Sequence, residues 1–295
     1  MENLGANLGT FGVYTFDFEH QPAAQLRDSV QELEQLGWRA VWFPEVGGRE
    51  ALTQAGYLLS CTERLHVING IAKIWQRGAA ATHAASVLLA DAYPSRHVLG
   101  LGFGDARPGV KPLAAMDQYL DELDTLTKES RNPAPHTPVR RILAAYGPKM
   151  LALARDRSAG AHTYHVNTAH TAQAREILGP DAFLGVEHAV LFEPDPGRAR
   201  ATAREHLHPY LNTPYNIAKF RRLGYTDDEI AHGGSDRLVD DLVFWGDVDT
   251  VVDKLRAHVR AGADHVAVQV IGTETGGSAM PHWRRLGEAL LPQEA

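Results

Sequence analysis

Short apolar runs, rich in β-branched and aromatic residues, alternate with longer segments of helical period from residue 10 onward. Residues Pro22–Leu36 repeat apolar side chains at helical spacing, and Ala79–Ala92 is rich in alanine and leucine and ends before Pro94. Because short strands alternate with segments long enough for a crossover, the pattern predicts repeated β-α-β units and a parallel sheet.

Eight of the apolar runs are predicted strands, at residues 10–15, 40–44, 64–70, 96–104, 141–147, 161–166, 182–192 and 264–272. Eight parallel strands with intervening helices close most economically into an α/β fold of the (β/α)8 TIM barrel type, whose active site lies at the carboxyl ends of the strands. We expect a single domain over residues 1–295.

The segment at 193–250, after the seventh strand, is longer than one crossover and predicts two or three inserted helices. The insertion either overhangs the barrel mouth as a lid or packs at the side of the barrel or against a second subunit.

Charge and composition favour a small-molecule partner. The net charge of -7 is dispersed along the chain, which argues against nucleic acid or an anionic membrane as a partner. Cys61 is the sole cysteine, so an internal disulfide is excluded. The first ten residues lack a signal-peptide pattern, and no apolar run approaches the roughly 18 residues of a membrane span. These features predict a soluble, cytoplasmic protein.

A doubly wound dinucleotide-binding sheet is the main competing fold, because "GLGFGDARPG" follows a predicted strand. The G-x-G-x-x-G fingerprint requires glycine at 105 or 107, and these positions hold Asp105 and Arg107. This fold is therefore disfavoured.

Carboxylates and glycines follow two neighbouring predicted strands. Glu45 comes directly after the second strand, and Gly102, Gly104 and Asp105 end the fourth. A carboxylate at the carboxyl end of a barrel strand is a candidate proton donor or acceptor, and glycine permits close backbone approach. Each carboxylate could equally cap a helix or pair with a cation.

After the fifth strand, Gly147, Pro148 and Lys149 begin a helix. Free N–H groups and the dipole at a helix start favour an anion such as phosphate, and Lys149 adds a positive charge. The same residues would also suit an ordinary helix start.

The fifteen histidines do not predict a metal site. His206 and His208 are expected on different helix faces, and His162 and His165 on opposite sides of a strand. No H-E-x-x-H motif or supporting carboxylate cluster accompanies them, and a G-x-S-x-G hydrolase motif is also missing from the sequence.

Several segments, in order and at family spacing, resemble the bacterial luciferase-like oxidoreductases, in particular the branch that uses the deazaflavin coenzyme F420. They are "GWRAVWFPEVGGREAL", "NGIAKIWQR", "AYPSRHVLGLGFG", "AAYGPKMLALA", "REILGPD", "FRRLGYTDDEI" and "GADHVAVQ". The resemblance spans nearly the whole chain. It implies a homodimer in which hydride passes between the deazaflavin C5 carbon and a small organic substrate.

The same resemblance assigns residues. It implies a strand-end bulge with a non-prolyl cis peptide that backs the central ring of the cofactor, and the matching bond is Gly70–Ile71. The residues expected at the cofactor are Glu45, Asn69, Gly70, Ile71, Ala72, Gly102, Gly104, Asp105, Gly147, Pro148 and Lys149, the last three at its phosphate. Glu45 and Asp105 are the candidate catalytic acids or bases. Val46 stands where several F420 enzymes have a catalytic histidine.

Two alternatives keep the same fold. One is an FMN-dependent flavin monooxygenase, because the same cleft could hold FMN. The other is a non-catalytic cofactor carrier or sensor, since the histidine after Glu45 is missing. The sequence does not encode the substrate or the direction of the reaction in a readable motif.

Overall fold

The computed structural model describes residues 4–105, 107–130, 133–273 and 278–292. Its strands are β1 (Phe11–Tyr14), β2 (Ala40–Phe43), β3 (His66–Asn69), β4 (Ala72–Lys73), β5 (His97–Gly102), β6 (Arg140–Ala144), β7 (Gly160–Thr163), β8 (Phe183–Leu191), β9 (Val243–Trp245) and β10 (His265–Val270). Its α-helices are α1 (Leu4–Leu8), α2 (Ala23–Gln35), α3 (Ala51–Ser60), α4 (Ala79–Ala92), α5 (Pro112–Glu129), α6 (Pro148–Arg157), α7 (Thr168–Leu178), α8 (Pro196–Leu211), α9 (Pro214–Arg222), α10 (Asp227–Ile230), α11 (Asp236–Leu242), α12 (Val248–Arg260) and α13 (Met280–Leu290).

Eight parallel strands close into a barrel in the order β1-β2-β3-β5-β6-β7-β8-β10, and β10 pairs with both β8 and β1. Phe11 lies opposite Val266, and Gly185 lies opposite His265. Each of the eight predicted strands overlaps one of these strands, so the predicted TIM barrel is confirmed.

The alternation of side chains along each strand explains the core. One set of positions fills the barrel interior, namely Tyr14, Ala40, Trp42, Ile68, Val98, Ile142, Phe183 and Ala267. The other set packs outward under the helices, and includes Val13, Val41, Val67, Leu99, Leu143, Val186 and Val266. Because both faces of the strands are buried, the strands show continuous apolar runs rather than polar alternation.

The insertion differs from the prediction in its contents. Residues 193–250 contain four complete α-helices, α8 to α11, a 3₁₀ helix at Ala231–Gly233, and the first residues of α12. They also contain the short strand β9, which extends the sheet beside β8. Two or three helices were expected, and no strand. The run "VFW" is too short, and too close to α11, to stand out from a helical pattern.

Most of the insertion packs on an apolar cluster of its own, formed by Ala199, Leu207, Phe220, Leu238 and neighbours beside β8. The helix α9, which contributes Phe220 to this cluster, also lies over the carboxyl ends of β6 and β7. There the Tyr215 ring is 5.6 Å from the Tyr146 ring, and Lys219 Nζ donates to the carbonyl oxygen of Tyr164 at 3.2 Å. The insertion thus covers part of the mouth and also packs at the side.

No helix in the described part of the chain combines the length and apolar character that crossing a membrane requires.

Candidate active site

A bulge follows β3 at the carboxyl edge of the barrel. The Gly70–Ile71 peptide bond is cis, as predicted. Gly70 N donates to Phe43 O at 2.8 Å, and Glu45 N donates to Ile71 O at 3.1 Å. The Tyr14 hydroxyl donates to Gly70 O. Hydrogen bonds from β1 and β2 therefore hold the bulge in one shape.

Two glycines on β5 and one just after it make room for this bulge. A Cβ on Gly100 would overlap the carbonyl oxygen of Asn69. A Cβ on Gly102 would lie 2.6 Å from the Ile71 side chain, and one on Gly104 would lie 2.9 Å from Lys73 Cδ. The close approach predicted from these glycines is thus to the protein's own chain at residues 69–73.

The side chain of Asn69 is committed to the structure around β3. It is fully buried, its Nδ2 donates to Ala51 O at 3.2 Å, and its Oδ1 lies 2.9 Å from His97 Nε2. Burial lowers the pKa of His97 to about 4, so the neutral ring can donate from Nε2. Ala72 is also fully buried, in β4. Of residues 69–72, which form the bulge, Ile71 is partly exposed and the other three are buried.

Glu45 lies beside the bulge and is ion-paired. Its carboxylate binds the Arg77 guanidinium, and both side chains are at most 9% exposed. Glu45 Oε2 also accepts from Lys73 N at 2.7 Å, and Arg77 continues to Glu50 Oε1 at 2.7 Å. Glu45 therefore links β4 to the start of α3, because it accepts from Lys73 N and from Ala51 N. This geometry gives Glu45 a role in positioning the bulge.

Changing Glu45→Gln is expected to lower the free energy of unfolding by about 3 kcal/mol, because the buried Arg77 charge loses its main counterion. Asp105→Asn is the matched control, since that carboxylate is 88% exposed and its loss should leave stability unchanged. Urea unfolding of both variants measures the difference. Equal stabilities would show that the Glu45–Arg77 pair does not hold the bulge.

Asp105 stands at the open rim, where its Oδ2 accepts from Lys73 Nζ at 2.7 Å. Lys73 therefore contacts Glu45 through its main-chain nitrogen and Asp105 through its ammonium group. Its side chain packs over Gly104. The structure thus brings the two predicted carboxylates to opposite ends of one lysine, of which Asp105 is the solvent-accessible one.

The predicted anion site follows β6, which β5 separates from β3 and its bulge. Gly147 is the N-cap of α6, Pro148 occupies the first turn, and Lys149 is exposed. Arg222 Nη1 would lie 3.5 Å from a Cβ on Gly147, and its guanidinium covers the Tyr146 ring at 5.8 Å. The helix start is therefore flanked by two cations.

Arg222 was not predicted from the sequence. It lies on α9, in the inserted segment, and its position at Gly147 depends on how that helix folds back over the barrel. Nothing in the basic run "KFRRLG" indicates which of its residues lies beside Gly147.

The histidines of β7 differ from the expected arrangement. The strand ends at Thr163, and His165 follows with a positive φ of 51°, so the two rings do not alternate along one strand. His162 stacks on Trp42 inside the barrel at 4.7 Å, and His165 lies beside Glu187. Among the residues that the structure describes, no group of three or more histidine, cysteine or acidic side chains could hold a metal.

Comparisons with known proteins agree on the family. A family model described as luciferase-like monooxygenase matches residues 8–265. A protein of Mycobacterium tuberculosis, named as a coenzyme F420-dependent oxidoreductase, is 25% identical over 94% of this chain and 95% of its own.

Solved structures show the same fold. An F420-dependent secondary alcohol dehydrogenase, in complex with an F420-acetone adduct, has a TM-score of 0.74 at 14% identity, with 96% of this chain and 98% of that chain covered. The FMN-bound oxygenating constituent of 3,6-diketocamphane monooxygenase from Pseudomonas putida, a type II Baeyer-Villiger monooxygenase, has a TM-score of 0.64 at 16% identity, with 94% and 95% covered. Since the family model spans most of the sequence, as the resemblance implied, the chain belongs to the luciferase-like monooxygenase family of enzymes.

Proposed function

We propose that the protein is a coenzyme F420-dependent oxidoreductase that transfers a hydride between the deazaflavin and a small organic substrate. One observation carries this proposal: a glycine-lined bulge and a cation-flanked helix start lie at the carboxyl ends of β3 and β6, with β5 between them. The bulge would support a planar ring, and the helix start with its two cations would bind a phosphate. The M. tuberculosis relative supports the choice of cofactor.

The residues of this chain would divide the work. When bound, the deazaflavin supplies hydride chemistry at its C5 carbon. Gly70 and Ile71 would back the ring, while Lys149 and Arg222 would hold the phosphate at the start of α6. Asp105 is exposed at the rim and could exchange a proton with the substrate.

Cofactor choice is tested by titrating the purified protein with F420 and with FMN and following tryptophan fluorescence. We expect micromolar or tighter binding of F420 and weak binding of FMN. Preference for FMN would favour a flavin monooxygenase, for which the FMN-bound neighbour has the same fold. Tight F420 binding without redox turnover on any substrate panel would favour a carrier or sensor.

Arg222→Met is expected to weaken F420 binding about tenfold, because a charge-assisted hydrogen bond to phosphate is lost. Arg221→Met is the matched control: this neighbour on the same helix is exposed and paired with Asp227 Oδ1 at 2.6 Å. The fluorescence titration compares the two dissociation constants. Equal effects would place the phosphate away from α9.

We also propose that the protein is a homodimer, as its resemblance implied. Leu88 on α4 is 66% exposed and borders a groove of about 410 Å³ between α3 and α4, lined by Leu52, Thr53, Ala81, Ala85 and Leu89 among others. Under two-fold symmetry the projecting leucine of each copy can enter the groove of the other. Sedimentation equilibrium should give twice the chain mass, and the mass of one chain would refute the dimer.

A further inference from the structure

A carboxyl group lies inside the barrel, away from the rim. Glu187 projects inward from the middle of β8 and is fully buried. Its Oε2 accepts from the main-chain nitrogen of His165 at 3.1 Å, whereas Oε1 has no hydrogen-bond partner among the described residues. An unsatisfied buried carboxyl oxygen is costly, so this group calls for an explanation in terms of function.

An amine reaches the same region from the insertion. Lys219 on α9 is 3% exposed, and its ammonium nitrogen donates to Tyr164 O at 3.2 Å. No carboxylate lies within ion-pair distance of it in the described structure, although it and Glu187 attract each other. A lysine with one main-chain acceptor has donors to spare.

His165 lies between these groups. Its Nδ1 is 3.8 Å from Glu187 Oε2, and neither ring nitrogen has a hydrogen-bond partner within the described part of the chain. Its ring centre is 4.0 Å from that of Tyr164 and 4.4 Å from that of Tyr210. Polar groups from β7, β8, α8 and α9 therefore converge under the cover that α9 forms.

Two groups of this cluster titrate near neutral pH. Burial raises the pKa of Glu187 to about 8 and lowers that of Lys219 to about 7, so their order is inverted relative to water. The surrounding groups are uncharged at pH 7. Burial raises the pKa of Tyr14, Tyr164 and Tyr210, and it lowers the pKa of His162, His165 and His206. Gln269 of β10, which bonds Tyr164, does not titrate.

Tyr14 connects this cluster to the bulge. Its hydroxyl donates to Gly70 O, and its ring lies 5.7 Å from that of Tyr164. After burial, the charge of Glu187 is the next cause of the raised Tyr14 pKa. The charge of Glu187 therefore affects the pKa of Tyr14, the residue whose hydroxyl bonds the bulge.

We propose that Glu187 and Lys219 together hold one proton inside the barrel, coupled by their charges and not by a direct contact, and that this shared proton is the reservoir for hydride transfer at the mouth. This inference rests on the proposed function. When bound, the reduced deazaflavin would supply a hydride to the substrate carbon and release one proton to solvent. Glu187 and Lys219 would supply the proton of the substrate heteroatom, in place of Asp105 at the rim, and would regain one proton from solvent. Substrate oxidation would reverse each transfer.

The shared proton is tested without cofactor, by infrared spectroscopy of the protein across pH. Wild type should show a carboxylic acid C=O band at neutral pH that disappears as the pH rises through about 8, and Glu187→Gln should lack it. The glutamine keeps the acceptor for the His165 nitrogen. Lys219→Met should move the midpoint to higher pH, since the ammonium group favours the carboxylate. Lys254→Met should not, because this lysine bonds Trp245 O outside the cluster.

A band that is missing in wild type, or that persists in Glu187→Gln, would overturn the shared proton. The second measurement reduces bound F420 with borohydride and records the infrared difference spectrum, in which the Glu187 band should change in wild type and in Lys254→Met. An unchanged band with F420 bound would overturn the reservoir and leave the proposed function intact. Failure of F420 to bind would overturn the proposed function, and the reservoir with it, whatever the first measurement shows.

Discussion

Lowering the pH from about 6.5 to about 4 is expected to unfold the protein steeply, with the uptake of several protons. Burial lowers the pKa of ten histidines, of which His66, His170 and His282 shift less than the others. The seven larger shifts take His97, His206, His258 and His265 to about 4, His162 to about 3, and His165 and His188 well below the usual value. The native state binds fewer protons there than the unfolded chain, so stability is present above about pH 6.5 and lost as the pH falls.

Each such histidine contributes up to about 1.4 kcal/mol per pH unit within this window. Over the window from about pH 6.5 to about 4, three or four of them would remove about 10–14 kcal/mol. This matches the roughly 5–15 kcal/mol that stabilises a typical domain. Glu187 acts in the opposite direction by one proton, because its raised pKa makes the native state the better proton binder between about 4.5 and 8.

Urea unfolding at a series of pH values measures the proton uptake from the slope of the free energy. His206→Gln should reduce that slope by about one proton, and its structural cost should be small because His206 Nε2 has no partner among the described residues. An uptake of one proton or less on unfolding of wild type would contradict this prediction, because it would mean that burial does not keep the histidine rings neutral.

The change Gly100→Ala is expected to cost more than about 4 kcal/mol or to prevent folding, because the added methyl group would overlap the carbonyl oxygen of Asn69. Relief would require a main-chain shift, since the obstructing atom is backbone. Asn69 cannot yield easily, as its side chain is bonded to Ala51 O and His97.

Gly78→Ala is the matched control, since a Cβ there meets nothing within 4 Å and its φ of -67° suits any residue. It should cost less than about 1 kcal/mol, as loss of an N-cap glycine does. Urea unfolding and soluble yield compare the two variants. A stable Gly100→Ala protein would show that β5 and the bulge can separate.

The barrel could be predicted because each strand is buried on both faces, which leaves apolar runs that a sequence displays directly. The contacts within the site could not be predicted in the same way. The partner of Glu45 is Arg77, beyond α3, and nothing local distinguishes that arginine from a surface residue. Lys219 could not be predicted either. A lysine in a polar helix indicates a solvent-facing position, and this lysine is buried.

The glycines at the end of β5 and just after it illustrate an ambiguity of another kind. The sequence predicted a close approach at Gly102 and Gly104, and the structure has one, to Ile71 and Lys73. A glycine in a strand indicates that another group approaches the backbone closely. The sequence does not show whether this group is a ligand or another part of the chain, because that depends on the register of the neighbouring strands.

The helix α9 has nine residues, and two of them, Lys219 and Arg222, reach the barrel mouth. Neither the strands nor the helices of the barrel carry these two charges. An exchange of this one segment between relatives would therefore change the affinity for an anionic group and the proton supply of the interior together, while the scaffold kept its sequence. Related enzymes can therefore differ in ligand binding and proton transfer through changes in α9 alone.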